Sequence, residues 1–475
     1  MFAQPRYAPE ALVPLLAGLF WLGAAFDAGL PGGVLPALPG LLLTGGGVVG
    51  FLLRGDPRLP QPAALGGLLG VLFGLPALFL AGPLEGLVLL LLSAASFVAA
   101  GAMSVRQEPH PEEVPTPEPG LRRAAEVAAD DAILAFMLLT FPNLSASDHA
   151  RAAGELEDAV ALFEERGWLE KPARYHETPP PLEAPTLVRR RTRGLDYEHL
   201  SFESGYEPHP DEPGRERWLG HGANRTAHAW VMRHADPTRP WLVAIHGYQM
   251  GAPGIDLPAL QAARFHHRGG LNLLLPVLPL HGPRKIGRVS GNGFISSDFL
   301  DTIHAEAQAM WDIRRMLAWI RAQGGERVGV VGLSLGGYQT ALLAALDDGL
   351  ACAVPGIPAT DFARLVARHA PPLEVKEAQA LGLRLEAAER ALRVVSPLAL
   401  PPRVPQERRA IFAGSSDLLV PADQVRDLWR HWDRPRIAWY PGGHMTFALH
   451  RPVRELVEDT LRGAGLVVGS RPVLG

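Results

Sequence analysis

The sequence predicts a two-part chain: a bundle of membrane-spanning helices, then an α/β domain on a mainly parallel sheet with helices on both faces. Three observations point there. Residues 11–105 hold four long apolar stretches. From residue 227 to 463, strand-like and helix-like runs alternate. One strand-to-helix junction carries the sequence Gly-Leu-Ser-Leu-Gly, residues 332–336. A chain of 475 residues exceeds one ordinary core and suits two or three domains. With 20% charged residues and a net charge of -4, nothing in its electrostatics calls for nucleic acid as a partner. A single cysteine, Cys352, excludes an intrachain disulfide framework and fits a reducing compartment.

The apolar stretches are 11–30, 34–53, 63–81 and 86–105. At 1.5 Å rise per residue each covers about 30 Å, the hydrocarbon thickness of a bilayer. Three equally apolar stretches follow the first, so four spans are the stronger reading than a cleaved signal. Basic residues flank only alternate ends: Arg6, then Arg54 and Arg58, then Arg106, Arg122 and Arg123. The positive-inside rule therefore predicts a multi-pass cell-membrane protein with both termini and the soluble part in the cytoplasm. Gly66, Gly70 and Gly74 recur every four residues, as do Gly46 and Gly50. That spacing permits close helix packing, within one chain or between copies in a homo-oligomer, and chance spacing in a glycine-rich chain is the competing account. No ionisable residue sits mid-span, which favours an anchor over a transporter.

The domain plan follows: a membrane segment at 1–106, a Pro/Glu-rich linker at 107–120, a helical and proline-rich connector at 121–194, and a catalytic domain at 195–475. Helices are expected at 122–140 and 147–166, the second started by Ser147 and Asp148 and stopped by Gly167. The arginines at 189, 190, 191 and 193 read either as a contact for anionic lipid or as a solvated strand edge. Strands are expected at 227–233, 241–246, 271–278, 327–333, 352–357, 410–413 and 436–440, with helical patterns between the later ones. In such sheets ligands bind at the carboxyl ends of the strands.

Ser334 occupies such an end, on a turn tight enough that Gly332 and Gly336 are needed to let the backbone pass. Serine needs an imidazole to activate it and a carboxylate to orient that imidazole. His444 follows the strand at 436–440 through Pro441, Gly442 and Gly443, whereas His431 falls in a helix and His450 beyond the loop. Asp417 follows the strand at 410–413, with Asp361 its main rival and Asp433 a weaker one. An oxyanion needs donors, and the Leu335 N–H just after the nucleophile is one. The loop His246-Gly247-Tyr248-Gln249 supplies the other, with Tyr248 first and Gln249 behind it.

The order Ser334, Asp417, His444, the GLSLG elbow, the HGYQ loop and the Gly-Gly-His ending resemble the α/β-hydrolase superfamily, most closely its esterase, lipase and acyl-peptidase-like members. The resemblance covers about 227–463. It implies the α/β-hydrolase fold with an eight-stranded core, an acyl-enzyme on the serine, and a helical cap near 358–400. Two features depart from the family: HGYQMG replaces the glycine run of many lipases, and Pro279-Leu280-His281-Gly282 lacks the common aspartate-arginine-glycine pattern. Three functions stay open: a membrane-anchored serine hydrolase acting on an ester, thioester or amide of an acyl or lipid-like small molecule; an acyltransferase using the same intermediate; and a silent hydrolase fold serving as a membrane scaffold. No metal or cofactor is expected, since the chain has no His-Glu-x-x-His and no P-loop.

Overall fold

The structure is a computed structural model and describes residues 9–53, 58–140, 144–236, 238–467 and 472–474. Arg6 and Arg54, used above to orient the spans, lie outside the described residues. The chain forms two compact units. One comprises Met1–Phe141 with the segments Gly414–Asp423 and Trp439–His450; the other comprises Pro142–Ala413, Gln424–Ala438 and Arg451–Gly475.

The first unit is helical. Helices α1 (Leu12–Gly32), α2 (Val34–Leu52), α3 (Gln61–Leu80) and α4 (Pro83–Gln107) match the four apolar stretches, and all four are long and apolar enough to cross a membrane. Large apolar side chains such as Phe26, Leu30, Phe79 and Leu80 stand almost fully exposed on them, as expected of surfaces solvated by lipid tails. Inside, Trp21, Leu43 and Leu89 pack together, and the Trp21 indole donates to Ser93 Oγ at 2.8 Å. The glycine repeats are used within the chain. A Cβ on Gly46 would lie 2.7 Å from the Ala63 nitrogen of α3, and one on Gly66 would lie 2.9 Å from Leu42 Cβ of α2. Gly50 has only ordinary space around it, so its spacing carries no such constraint. Gly46→Leu is therefore expected to force α2 and α3 apart and lower stability by about 1–3 kcal/mol. Thermal unfolding in detergent measures this, and an unchanged midpoint would refute the packing role.

Helix α5 (Leu121–Thr140) completes this unit and packs on α3 and α4. The proline-rich stretch before it has no helix or strand, yet Val114 and Pro117 in it are buried.

The second unit opens with α6 (Ala146–Glu165), whose N-cap is Ser145 in a reciprocal pairing with Asp148. The expected helix start at Ser147 is thus one residue late and the cap two; Gly167 ends the helix region with φ 67° as anticipated. Next come β1 (Thr186–Thr192), β2 (Leu195–Glu203), α7 (Arg215–Leu219), β3 (Thr226–Met232), β4 (Trp241–Ile245), α8 (Pro253–Ala259) and β5 (Asn272–Val277). They are followed by α9 (Phe299–Ala322), β6 (Val328–Leu333), α10 (Leu335–Leu346) and β7 (Leu350–Gly356). Helices α11 (Phe362–His369), α12 (Pro372–Ala380) and α13 (Leu385–Leu392) fill the stretch read as a cap; α12 and α13 pack on α6. The chain ends with β8 (Ala410–Gly414), α14 (Ala422–His431), β9 (Arg436–Tyr440) and α15 (Arg451–Gly463).

All seven expected strands are present, and among the described residues the sheet has nine rather than eight. The added edge strand is β1, which pairs with β2 as an antiparallel hairpin turning at Arg193 and Gly194, both at positive φ. Its arginines at 189–191 are exposed, so they form a solvated edge strand that resists pairing with another chain. The order is β1-β2-β3-β5-β4-β6-β7-β8-β9, antiparallel from β1 through β3 to β5 and parallel from β5 through β4 to β8. Without β1, this is the eight-stranded α/β-hydrolase order, with its second strand running against its neighbours. The central strands β4, β5 and β6 are buried along their whole length, as parallel strands covered on both faces must be.

Candidate active site

In the sheet unit, β6 ends at Leu333 and α10 begins at Leu335, leaving one residue to make the turn. That residue is Ser334, at φ 58° and ψ −113°. The requirement for glycine on either side is steric. A Cβ on Gly332 would meet the Gly336 carbonyl, and one on Gly336 would meet the Ile245 carbonyl of β4. The Ser334 N–H donates to the Gly356 carbonyl at 2.9 Å, which ties the turn to the end of β7. Ser334 is half-buried. As the first residue of α10, Leu335 has an N–H with no intrahelical acceptor.

The HGYQ loop runs beside this turn. A Cβ built on Gly247 would sit 3.6 Å from Ser334 Cβ. Its neighbour His246 is fully buried and fixes the loop: Nε2 accepts the Leu278 N–H at 3.1 Å, which leaves the proton on Nδ1 for the Gly247 carbonyl at 2.8 Å. Tyr248 and Gln249 form the turn that follows, with Gln249 at φ 63°. The Tyr248 hydroxyl is buried without a hydrogen-bond partner among the described residues, and burial raises its pKa. Two supports here escaped the sequence. Asp256 accepts from the Trp230 indole at 2.8 Å and from the Gly251 N–H at 2.9 Å. His281, in the loop that departs from the family pattern, is buried edge-on to Phe294 and Tyr248.

The other two predicted groups lie in the helical unit, and there they meet. Asp417 Oδ2 and His444 Nδ1 are 2.7 Å apart, both nearly inaccessible to solvent. Asp417 Oδ1 also accepts the Val420 N–H at 2.8 Å. The two loops are zipped together by Ser415 N–H donating to the Tyr440 carbonyl at 2.8 Å. With Nδ1–H given to Asp417, Nε2 is the basic nitrogen of His444. Burial alone would depress its pKa; the charge and hydrogen bond of Asp417, with the charge of Asp130, hold it above the ordinary histidine value.

The rival residues have other work. Asp361 caps α11, accepting the Arg364 N–H at 3.0 Å. Asp433 sits in a turn at φ 59°. His431 is 2.8 Å from the Leu400 carbonyl. His450 is 3.0 Å from Glu126 and stacks on Tyr440.

One group was invisible to strand-end reasoning. Asp130 of α5 is fully buried, and its carboxylate accepts the backbone N–H of His444 at 2.7 Å, of Leu418 at 3.1 Å and of Met445 at 3.3 Å. Arg123 and Glu126 reach the same loops, Arg123 to Ser416 Oγ at 2.8 Å and Glu126 to Thr446 Oγ1 at 3.0 Å. The spacing 123, 126, 130 defines one face of a helix. Acidic residues on that face of an otherwise alanine-rich helix were the available signal.

No family model matches the chain. An uncharacterized protein of Mycobacterium tuberculosis strain CDC 1551 is 42% identical over 363 residues, covering 76% of this chain and 87% of its own length. Its counterpart in strain H37Rv is 41% identical over the same span. Among solved structures, an acetyl xylan esterase from Paenibacillus sp. R4 has a TM-score of 0.44 at 18% identity, covering 66% of this chain and 95% of that one. Acylaminoacyl peptidase of Pyrococcus horikoshii has a TM-score of 0.36 at 13% identity, covering 58% and 41%. The fold assignment rests on the strand order above.

Proposed function

This chain belongs to the family of those two Mycobacterium tuberculosis proteins, and from its fold and site residues we propose that it is a membrane-anchored serine hydrolase acting on an acyl or lipid-like small molecule. The observation that carries this reading is the backbone of Ser334. A side chain held at φ 58° costs of order 1–3 kcal/mol, and such strain concentrates where function needs it. Here it raises a hydroxyl at the carboxyl end of a central strand.

In this reading Ser334 Oγ attacks an ester, thioester or amide carbonyl and passes its proton to His444 Nε2. Asp417 holds the imidazole in one tautomer and stabilises the imidazolium. The N–H groups of Tyr248 and Leu335 take the oxyanion. Collapse transfers the proton from His444 to the leaving alcohol, thiol or amine, and water then releases the acid by the same route. Basic flanks at Arg58, Arg106, Arg122 and Arg123 support a cytoplasmic side of the cell membrane for the catalytic part.

The test is labelling of the full chain with a fluorophosphonate, followed by mapping of the modified peptide. Covalent modification confined to Ser334 is the expected result; a folded protein left unmodified, also by a smaller fluorophosphonate, would overturn the reading. Turnover of a short acyl ester should also rise with pH as His444 loses its proton. That rise should be centred above 6.5, the ordinary value, because Asp417 favours the imidazolium. A limb centred below it would show that the pair is not the base.

A further inference from the structure

We propose that Asp130 is a positioning residue for the Asp417–His444 pair, so that helix α5 is a working part of the site and not a connector to it. The inference rests on the hydrolase reading.

The argument begins with what this carboxylate touches. Its three donors are the N–H groups of His444, of Met445 just after it, and of Leu418 just after Asp417. One side chain therefore clasps both loops at the residues that carry the acid and the base. A Cβ on Gly443 would lie 2.5 Å from the same carboxylate, so the Gly-Gly sequence before His444 leaves room for it. Around this contact, Val127 and Leu134 of α5 pack on Leu418.

Burying a carboxylate is expensive, and only close donors or a cation offset the cost. The hydrogen bonds found at Asp130 come from backbone amides of the two loops. An apolar residue here would leave those three N–H groups without this acceptor. What the carboxylate adds is a fixed position for two loops and a negative charge beside His444. Burial pushes Asp130 up to about 7, Asp417 adds to the rise, and His444 and the amide donors oppose it. The charged groups around the imidazole in this unit are Asp417 from the loop after β8 and Asp130 from α5. Glu126 and His450 pair with each other one turn away. As His444 becomes imidazolium during acyl transfer, a second anion beside it stabilises that charge.

The experiment uses the full chain in detergent, a fluorophosphonate probe, and two variants. Asp130→Ala removes all three acceptor contacts. Asp130→Asn keeps a carbonyl for the His444 and Leu418 donors and deletes the charge. For Asp130→Ala, the maximal labelling rate should fall about 100-fold, the scale of an ångström misplacement, with the half-saturating probe concentration unchanged. For Asp130→Asn, most of the rate should survive at alkaline pH. Its rising limb should move to lower pH, because His444 has lost a neighbouring anion. A purely structural role moves the melting temperature but not that limb.

Wild-type maximal rate and limb in both variants would overturn the inference while leaving Ser334 labelling, and hence the hydrolase reading, intact. A lowered melting temperature with an unmoved limb overturns it too. Should Asp130→Ala fail to fold, Asp130→Asn alone decides through its pH profile. No labelling of wild-type Ser334 removes both.

Discussion

Ser334→Ala is expected to lower turnover of a short acyl ester by about 10⁶-fold in kcat, the scale seen when a triad serine is deleted elsewhere. Asp417→Asn should cost about 10⁴-fold, because the imidazole is then held in the wrong tautomer while the geometry persists. The ranking follows from the bonds. Removing Oγ deletes the atom proposed to form the acyl-enzyme, whereas an asparagine at 417 still occupies the space 2.7 Å from His444 Nδ1. Steady-state rates of the full chain and both variants on one ester decide the point. If Ser334→Ala turned over at the wild-type rate, the nucleophile would lie elsewhere. Asp361→Asn gives the contrast. It keeps an oxygen to cap α11, so its rate should stay near wild type.

Most of the fold was legible because its signals are local, and the three residues proposed for the site were read from the same strand ends. Four apolar runs of bilayer length identify α1–α4 without tertiary information. The elbow, Asp417 and His444 each follow a strand through a glycine-bearing turn, and in a parallel sheet the carboxyl ends are where chemistry gathers. The β1 strand was legible only as one of two readings of its arginines, because its face is nearly all solvated and has no alternation to read. Asp130 escaped for a different reason. It is 314 positions from His444, on a helix whose own pattern explains it as an amphipathic connector. The division of the chain was likewise hidden. The segments bearing Asp417 and His444 fall in one compact unit with α1–α5, although sequence order places them deep in the α/β half.

Asp312→Ala is expected to have the largest effect on stability, about 3–5 kcal/mol, by leaving a buried guanidinium without its counter-ion. Arg284 is inaccessible to solvent, and its Nη2 lies 2.9 Å from Asp312 Oδ2. Burial lowers the arginine's pKa and raises the aspartate's, so desolvation outweighs pairing for both partners. The pair is therefore costly to bury, yet more costly to break. Thermal unfolding of the single variant against a double Arg284→Met, Asp312→Leu variant separates these terms. The single change should lower the midpoint sharply, and the double change should recover most of it. Equal losses in both would mean that the hydrogen bonds, not the charge, dominate. Those bonds bear on the site as well. Arg284 donates to the Val277 carbonyl at 3.1 Å and to the Asn224 carbonyl at 3.1 Å, and the next residue, Leu278, donates the N–H that fixes His246. The double variant should thus regain stability and still label more slowly at Ser334, because the strand end that anchors the His246–Gln249 loop has lost its clamp.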